Sequence, residues 1–469
     1  LVETGRLVGA MMEPELPASS GRQEAKRPHR ARTLDIGISG MTIDPRVNPV
    51  NVPERFDFPN RPHLEERFDY TTLLYDVHWD HTGKTIHAQG PDMPPELRGH
   101  TAVRFRALPS RGACQSRVLP AEDCFSRRYR IRPPEGTTGL EVTIGAQTAH
   151  LAIQPNLSHL FAGRRVLMAI VHNNPLTWVV DWVGFHQRRH GADAVLLYDN
   201  LSTAYQVQDL REAVASVPGI ATVVVAHWPY GYGINPPNVG FWLQEGTIGN
   251  AQRRFLTSAR WVAALDIDEL FVSISGESID DLVASDPAAW FELEATCLAL
   301  VRSRGEGPLR HRDLYQTSTV LSGPKMVVVP PRLPALAEWR LHNVNGAPGH
   351  KVDPSRLRMY HFLPLTTGAI GREVRQIRED GITPADAVED LVLRDQLDAA
   401  FPDHEPAPTP RIWSELDGDS AGLAAKRAKK LLAAGDAAAA LPFIEHAIGL
   451  MPADRHLADV RATILRAIG

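Results

Sequence analysis

The chain has 469 residues, 43% hydrophobic and 22% charged, with 50 Lys and Arg against 55 Asp and Glu for a net charge of −5. That length exceeds one ordinary core and suits two to four domains, and the charge balance gives no hint of a nucleic-acid binder, whose surface is usually basic. No apolar run approaches the ~20 residues of a membrane-spanning helix. The opening LVETGRLVGAMMEPELP lacks a signal-peptide core. Cys114, Cys124 and Cys297 are too sparse for a disulfide framework. The expectation is a cytoplasmic globular protein, at most peripheral to a membrane.

Residues 1–60 are rich in Pro, Arg, Glu and Ser without apolar periodicity, the composition of a largely disordered segment. From 61 to 160 short β-rich runs appear: TTLLYDVHW, TAVRFRAL, RRYRIRP, LEVTIG and AHLAIQP. Gly, Pro and Asp punctuate them, which predicts a small antiparallel sandwich-like domain, read as a spacer in preference to a binding module.

From 161 to 403 apolar strands alternate with helices. RRVLMAIV, DAVLLYDN, ATVVVAHW and RWVAALDID read as strands; LTWVVDWVGFHQRR, AYQVQDLREAVAS and IGNAQRRFLTSA read as helices. Continuous apolar strands separated by helices predict an α/β fold, a mostly parallel sheet covered on both faces. Ligands then bind outside the carboxyl ends of the strands. HEPAPTP at 404–410 is a linker. The tail, 411–469, is Ala-rich and helical. Gly435, Ala440, Ala447 and Pro452 make it resemble a single tetratricopeptide unit, expected to cap the main domain or contact a protein partner. A plain Ala-rich hairpin fits equally well.

The fourth strand ends on Asp266 and Asp268, with Glu269 beside them. Carboxylates at i and i+2 share one side of an extended chain. Facing a crevice, they repel one another and lose solvation, which a divalent cation relieves. Mg²⁺ or Mn²⁺ takes one or two carboxylates and fills its other positions with water and phosphate oxygens. The stretch therefore reads as a site where a metal holds a pyrophosphate. The structural alternative is a strand end whose acids face water or cap a helix.

Three stretches, NNPLTWVVDWVGFH (173–186), LLYDNLS (196–202) and WVAALDIDELF (261–271), occur in an order and spacing that resembles the GT-A glycosyltransferases of family 92 and the related family 2 kind. The resemblance implies a GT-A-type, Rossmann-like domain and transfer of a sugar from a nucleotide-sugar donor, a UDP-sugar by preference, to a glycan or other hydroxyl acceptor. It implies Mn²⁺ or Mg²⁺ as cofactor, and inversion. Asn174, Asp199, Asn200, Ser202 and Asp266 would contact the nucleotide. Asp266, Asp268 and His361, in RLRMYHFLPL, would hold the metal. Tyr230, Tyr232, Trp242, Gln244 and His342 would lie near the sugar or acceptor. Glu338 and Asp313 are the candidate bases. Arg253 and Arg254 are either phosphate partners or a solvated helix face. One departure stands out: Asn174-Pro175 occupies the place of the family's Asn-Glu.

Competing readings use the same acids differently. A haloacid-dehalogenase-like phosphatase also puts D-x-D at a strand end and would use Asp266 as nucleophile, although Leu270 stands where it carries Thr or Val. A nucleotidyltransferase shares the architecture. A glycan-binding scaffold with a decayed site is the non-enzymatic reading, which Pro175 favours.

Overall fold

RTLDI, residues 32–36, falls in the segment whose composition predicts disorder, yet it forms an edge strand, β1 (Arg32–Ile36), parallel to its neighbour in the main sheet. Five half-polar residues carry no periodic signal. Pairing to the apolar partner orders them, beginning with the Arg32 N–H on Ala221 O at 2.8 Å. The computed structural model describes residues 31–43, 71–91, 103–119, 126–231, 241–299, 301–304, 308–318, 322–366, 387–401 and 411–412. Of the tail it describes 425, 428–429, 431–432, 435, 437–450 and 455–468. All belong to one compact unit, Ala31–Gly469. Cys124, Tyr232, the linker 404–410, Pro452 and the side chain of Trp242 lie outside the described residues.

The β-rich region forms two antiparallel sheets that share a core. One sheet runs β2 (Asp76–Trp79), β3 (Ile86–Pro91), β6 (Ser126–Arg132), β5 (Gln115–Val118); the other runs β8 (Gln147–Ala152), β7 (Gly139–Ile144), β4 (Val103–Leu108). Period-two burial explains the pairing: Val103, Phe105 and Ala107 are buried while Arg104 and Arg106 are exposed. Val77, Ile86, Tyr129, Ile131, Leu140 and Val142 fill the space between the sheets.

This module is docked, not merely strung on as a spacer. Its buried Asp76 accepts from Ser39 N (2.9 Å), Asn250 Nδ2 (2.8 Å) and the Arg254 guanidinium (2.9 Å). Arg254 also donates to Pro155 O and Gly37 O. It is therefore neither a phosphate partner nor a solvated residue, but the centre of the seam between module and main domain.

The main sheet has eight strands in the order β1, β11 (Thr222–His227), β10 (Ala194–Asp199), β9 (Arg165–Val171), β12 (Trp261–Ala264), β16 (Lys325–Val328), β14 (Trp290–Leu293), β17 (Gly349–Lys351). Neighbours from β1 to β12 are parallel; β16 runs against β12 and β14. Strands β9, β10 and β11 lie where the apolar runs predict, because burial on both faces demands unbroken Val, Leu and Ile. Helix α1 (Leu176–His190) packs Trp178, Trp182 and Phe185 against one face and ends at Gly191, whose φ of 69° is the left-handed cap. Helix α2 (Val207–Ala215) follows β10.

Helix α3 (Phe241–Asn250), prolonged by a π turn at Ala251–Phe255, starts before the expected 248. Leu243, Glu245, Thr247, Ile248, Asn250 and Ala251 are all buried, so no amphipathic stripe announces it. A second, three-stranded sheet of β13 (Glu269–Ser273), β18 (Leu357–His361) and β15 (Ala295–Cys297) abuts the first. Helix α4 (Ile279–Ser285) is capped by Ser278, and α5 (Leu391–Ala400) by Asp390. In the tail α6 (Ala437–Leu450) and α7 (Arg455–Ile468) share a small core of Ala440, Ile444, Ala447, Leu457 and Ile464.

Candidate active site at the switch point of the sheet

From β9 the chain winds outward through β10 and β11, then returns to lay β12 on the other side of β9. Strand order reverses there, so the carboxyl ends of β9 and β12 flank the crevice where such sheets take ligands.

On the β9 and β10 side, most polar side chains are committed to the turns themselves. Asn173 sits at φ 56°, and its Oδ1 accepts from Thr203 N (2.7 Å) and Ala204 N (2.9 Å). Ser202 Oγ accepts from Asn173 N (3.1 Å), and Asn174 Oδ1 from His172 N (3.0 Å). The Asn200 amide donates to Trp228 O (2.9 Å) and Tyr230 O (2.7 Å). Asn174, Asn200 and Ser202 thus shape the crevice wall. Asp199 differs: it is 2% exposed, its Oδ1 has no hydrogen-bond partner among the described residues, and its Oδ2 lies 3.9 Å from His227 Nδ1. A buried carboxylate oxygen without a donor is the kind of group a ligand N–H or hydroxyl satisfies.

On the β12 side the strand stops at Ala264, and residues 265–268 turn before β13 begins. The acids are therefore not on one extended face, as their spacing predicts. The Glu269 N–H closes the turn on Asp266 O (3.1 Å), while Glu269 Oε2 accepts the Asp266 N–H (2.8 Å). The two aspartates consequently meet different partners. Asp266 Oδ2 lies 2.6 Å from Lys325 Nζ, which also reaches Glu269 Oε2 at 3.0 Å. Asp268 Oδ2 accepts from Thr366 Oγ1 (2.5 Å) and faces His361 Nε2 at 3.4 Å; His361 Nδ1 meets Ser322 Oγ at 3.0 Å.

The electrostatics follow from burial and pairing. Burial penalises the charged form of Asp268, but His361, Thr366 and Lys325 outweigh it and hold the carboxyl at about 2. Burial likewise opposes charge on His361, yet Asp268 holds the imidazolium well above the usual histidine range. Glu269 is pushed up to about 7, mainly by burial, against the pull of Lys325. The lysine itself stays charged despite its burial, because Asp266 and Glu269 surround it.

The donor chemistry suits a hard divalent ion in part. Asp268 and His361 are metal-ligating residue types, each braced by a hydroxyl, but here they pair with each other, and His361 would have to give up its proton to coordinate a cation. Asp266 is engaged by an ammonium instead. Among the described residues no three His, Cys, Asp or Glu converge as a metal group.

The remaining candidates divide. His342 reaches the edge of the site: its Nδ1 donates to Pro324 O (2.7 Å), beside Lys325. Burial first, then Lys325, lowers its pKa. His311 Nε2 donates to Ile267 O (2.8 Å), tying down the acid turn, and Asp313 caps the same short helical turn through Arg310 N (2.9 Å). Burial raises the Asp313 carboxyl to about 6. Glu338 lies elsewhere, paired with Arg128 of the module and Arg253 (3.7 Å). Arg253 is thereby a seam residue too. Tyr230 is buried, and its hydroxyl donates to Tyr75 O (2.5 Å). Gln244 is half-buried on α3.

Sequence reasoning passes over Lys325, Thr366, Ser322 and His311. Lys325 alone leaves a trace, a cation heading the apolar run KMVVV just as the acids end another.

No family model matches the chain, and no curated protein matches it. Among solved structures it is similar to the mannosyltransferase Ktr4p from S. cerevisiae, at 10% identity over 28% of this chain and 39% of that one, with a TM-score of 0.21. It is also similar to WbbM, a bifunctional glycosyltransferase in its apo form, at 9% identity over 43% and 36% of the two chains, with a TM-score of 0.24. The chain thus spans less than two fifths of the length of either structure. Among the described residues no helix is long and apolar enough to cross a membrane.

Proposed function

We propose that the crevice between β9 and β12 binds a nucleotide-sugar and that the protein transfers the sugar to a hydroxyl of a glycan acceptor. The observation that carries this reading is the pairing of two features across the switch point. Asp199, whose Oδ1 has no donor among the described residues, stands on one wall, and the braced Asp268–His361 pair stands on the other. Asp199 suits the N–H or hydroxyl groups of a nucleoside. Asp268 and His361 would hold Mn²⁺ or Mg²⁺, whose chemistry is to offset charge on a departing diphosphate. Thr366 and Ser322 fix the orientation of that pair, and Lys325 prevents Asp266 and Glu269 from repelling each other. Of the two candidate bases, Glu338 is occupied by arginines at the seam. Asp313, whose carboxyl burial raises to about 6, is the better proton acceptor.

The test is a screen of sugar nucleotides that follows nucleoside diphosphate release, with and without Mn²⁺. One donor should turn over. Asp268→Ala should lower kcat by a factor of about 10² or more, as losing a key electrostatic group does. No release from any donor, with no binding of UDP, GDP or CDP, would sink the proposal. Asp313→Asn separates two roles: a base loses kcat, whereas a cap loses only stability.

One observation favours a second reading. Asp266 is about one-third exposed and neutralised by Lys325, as a carboxylate attacking a phosphate would need to be. Hydrolysis of p-nitrophenyl phosphate abolished by Asp266→Asn would select phosphoryl transfer; absence of that hydrolysis discards it.

A further inference from the structure

The sandwich module carries a row of basic side chains, two histidines and two arginines, that the crevice does not use. In register across one sheet stand His78 on β2, His87 on β3, Arg130 on β6 and Arg117 on β5. Neighbouring strands are about 4.8 Å apart, so the side chains of this row crowd one another. The rings of His78 and His87 are 5.7 Å apart. Arg132 stands two residues beyond Arg130, on the same face and opposite Gln115.

The alternation of β6 explains the face. Tyr129 and Ile131 point into the sandwich core, so Arg128, Arg130 and Arg132 point outward. The row begins at buried His78, beside the seam, and opens to solvent at Arg117 on the edge strand. Like charges directly opposite each other destabilise a sheet. Among the described residues the charges at the Arg117–Arg130 end are not offset, while Asp76 lies near His78 at the other end. Of the acids at this seam, Asp76 pairs with Arg254 and Glu338 with Arg128 and Arg253, and among the described residues Arg117, Arg130 and Arg132 have no acidic partner. The surrounding cations, with burial as the larger cause, keep His87 neutral, pushed down to about 2. It therefore offers a ring N–H amid guanidinium groups and does not add to the repulsion.

We propose that this row binds an acidic glycan through its carboxylate groups, with Arg117 and Arg130 clamping one group and Arg132 the next. The choice of a glycan rests on the transferase reading, for which this site would hold the growing acceptor away from the crevice. The face itself argues against nucleic acid. No Trp, Tyr or Phe stands in the row to stack on a base, and the chain's net charge of −5 repels a long phosphate backbone.

The experiment uses the full chain in affinity electrophoresis with polygalacturonate, neutral dextran and a DNA duplex, at about 50 mM and about 200 mM salt. The wild type should be retarded by polygalacturonate only, and less at the higher salt. R117S/R130S should weaken that binding about tenfold or more, the scale of losing charge-assisted contacts. R104S/R106S, the same charge change on the other sheet, should leave it intact, and R117K/R130K should restore part of it. A thermal melt checks that each variant folds. No retardation by polygalacturonate, equal losses in both serine doubles, or equal retardation by DNA would each overturn the proposal. Nucleoside diphosphate release is measured separately. A chain that binds the polymer but turns over no donor would refute the transferase reading and leave this site standing.

Discussion

Lys325 is the residue on which the candidate site is balanced. Its ammonium lies between Asp266 and Glu269, and its side chain is 7% exposed. Removing one member of a buried ion pair costs about 3–5 kcal/mol, because the partners keep their charge without solvent. Asp266 is 35% exposed, which screens its half of the interaction. Lys325→Met should therefore cost about 2–4 kcal/mol. Urea denaturation measures it, and adding Glu269→Gln should return part of the loss. A cost near zero in the single variant would show that the three charges do not act together. At this scale the sequence announced the acids but not their partners. Asp266, Asp268 and His361 stand out as chemistry-bearing types near strand ends. Thr366, Ser322 and Lys325 are ordinary residues that acquire a role only when distant segments meet.

At the scale of elements, helix α1 carries two histidines that work as structural hydrogen-bond relays. His190 Nε2 donates to Phe271 O (2.6 Å) and its Nδ1 accepts from Ile279 N (3.3 Å). His186 donates to Trp182 O (2.8 Å) and accepts from Phe271 N (3.2 Å). Each bridge needs the neutral ring. Burial lowers the His190 pKa to about 4, below the 6.5 of an unperturbed histidine. As pH falls, the unfolded chain takes up the proton first. The contribution of His190 is complete above about 6.5 and erodes between about 6.5 and 4, by up to about 1.4 kcal/mol per pH unit. His190→Gln, which can donate and accept at the same places, should flatten that decline in a pH series of chemical denaturation. Equal slopes for the two proteins would contradict the assignment. Elements with a strong period were readable beforehand: β9, β10, β11 and α1 lie where their apolar patterns put them. β1 was hidden because an edge strand borrows its order from its neighbour. The start of α3 was hidden because burial on every side erases the helical stripe. The turn at 265–268 was read as extended because a D-x-D pattern does not reveal where a strand stops.

At the scale of the whole molecule, the sandwich and the main sheet meet through a fully buried charge pair, Asp76 and Arg254. Arg254 lies on the π turn that follows α3, and α3 is packed against the module as well as against the sheet. The module and the main sheet should therefore unfold in one transition. Asp76→Ala should cost about 3–5 kcal/mol and split that transition in two, read by calorimetry. A single unchanged melt would mean that the seam contributes little.

Strand β16 alone among the neighbours of β12 enters from the crevice end, since it runs opposite to the strand beside it. Its first residue, not its last, therefore arrives at the site, and that residue is separated from Asp266 by 59 positions of chain. During synthesis the carboxylates leave the ribosome well before the ammonium that will quiet them. Any nascent or shortened chain ending ahead of β16 holds a knot of negative charge with no counterweight. Such fragments should stay open at the crevice on the Asp266 side until the reversed strand slots in, and on the Asp268 side until His361 and Thr366 follow it.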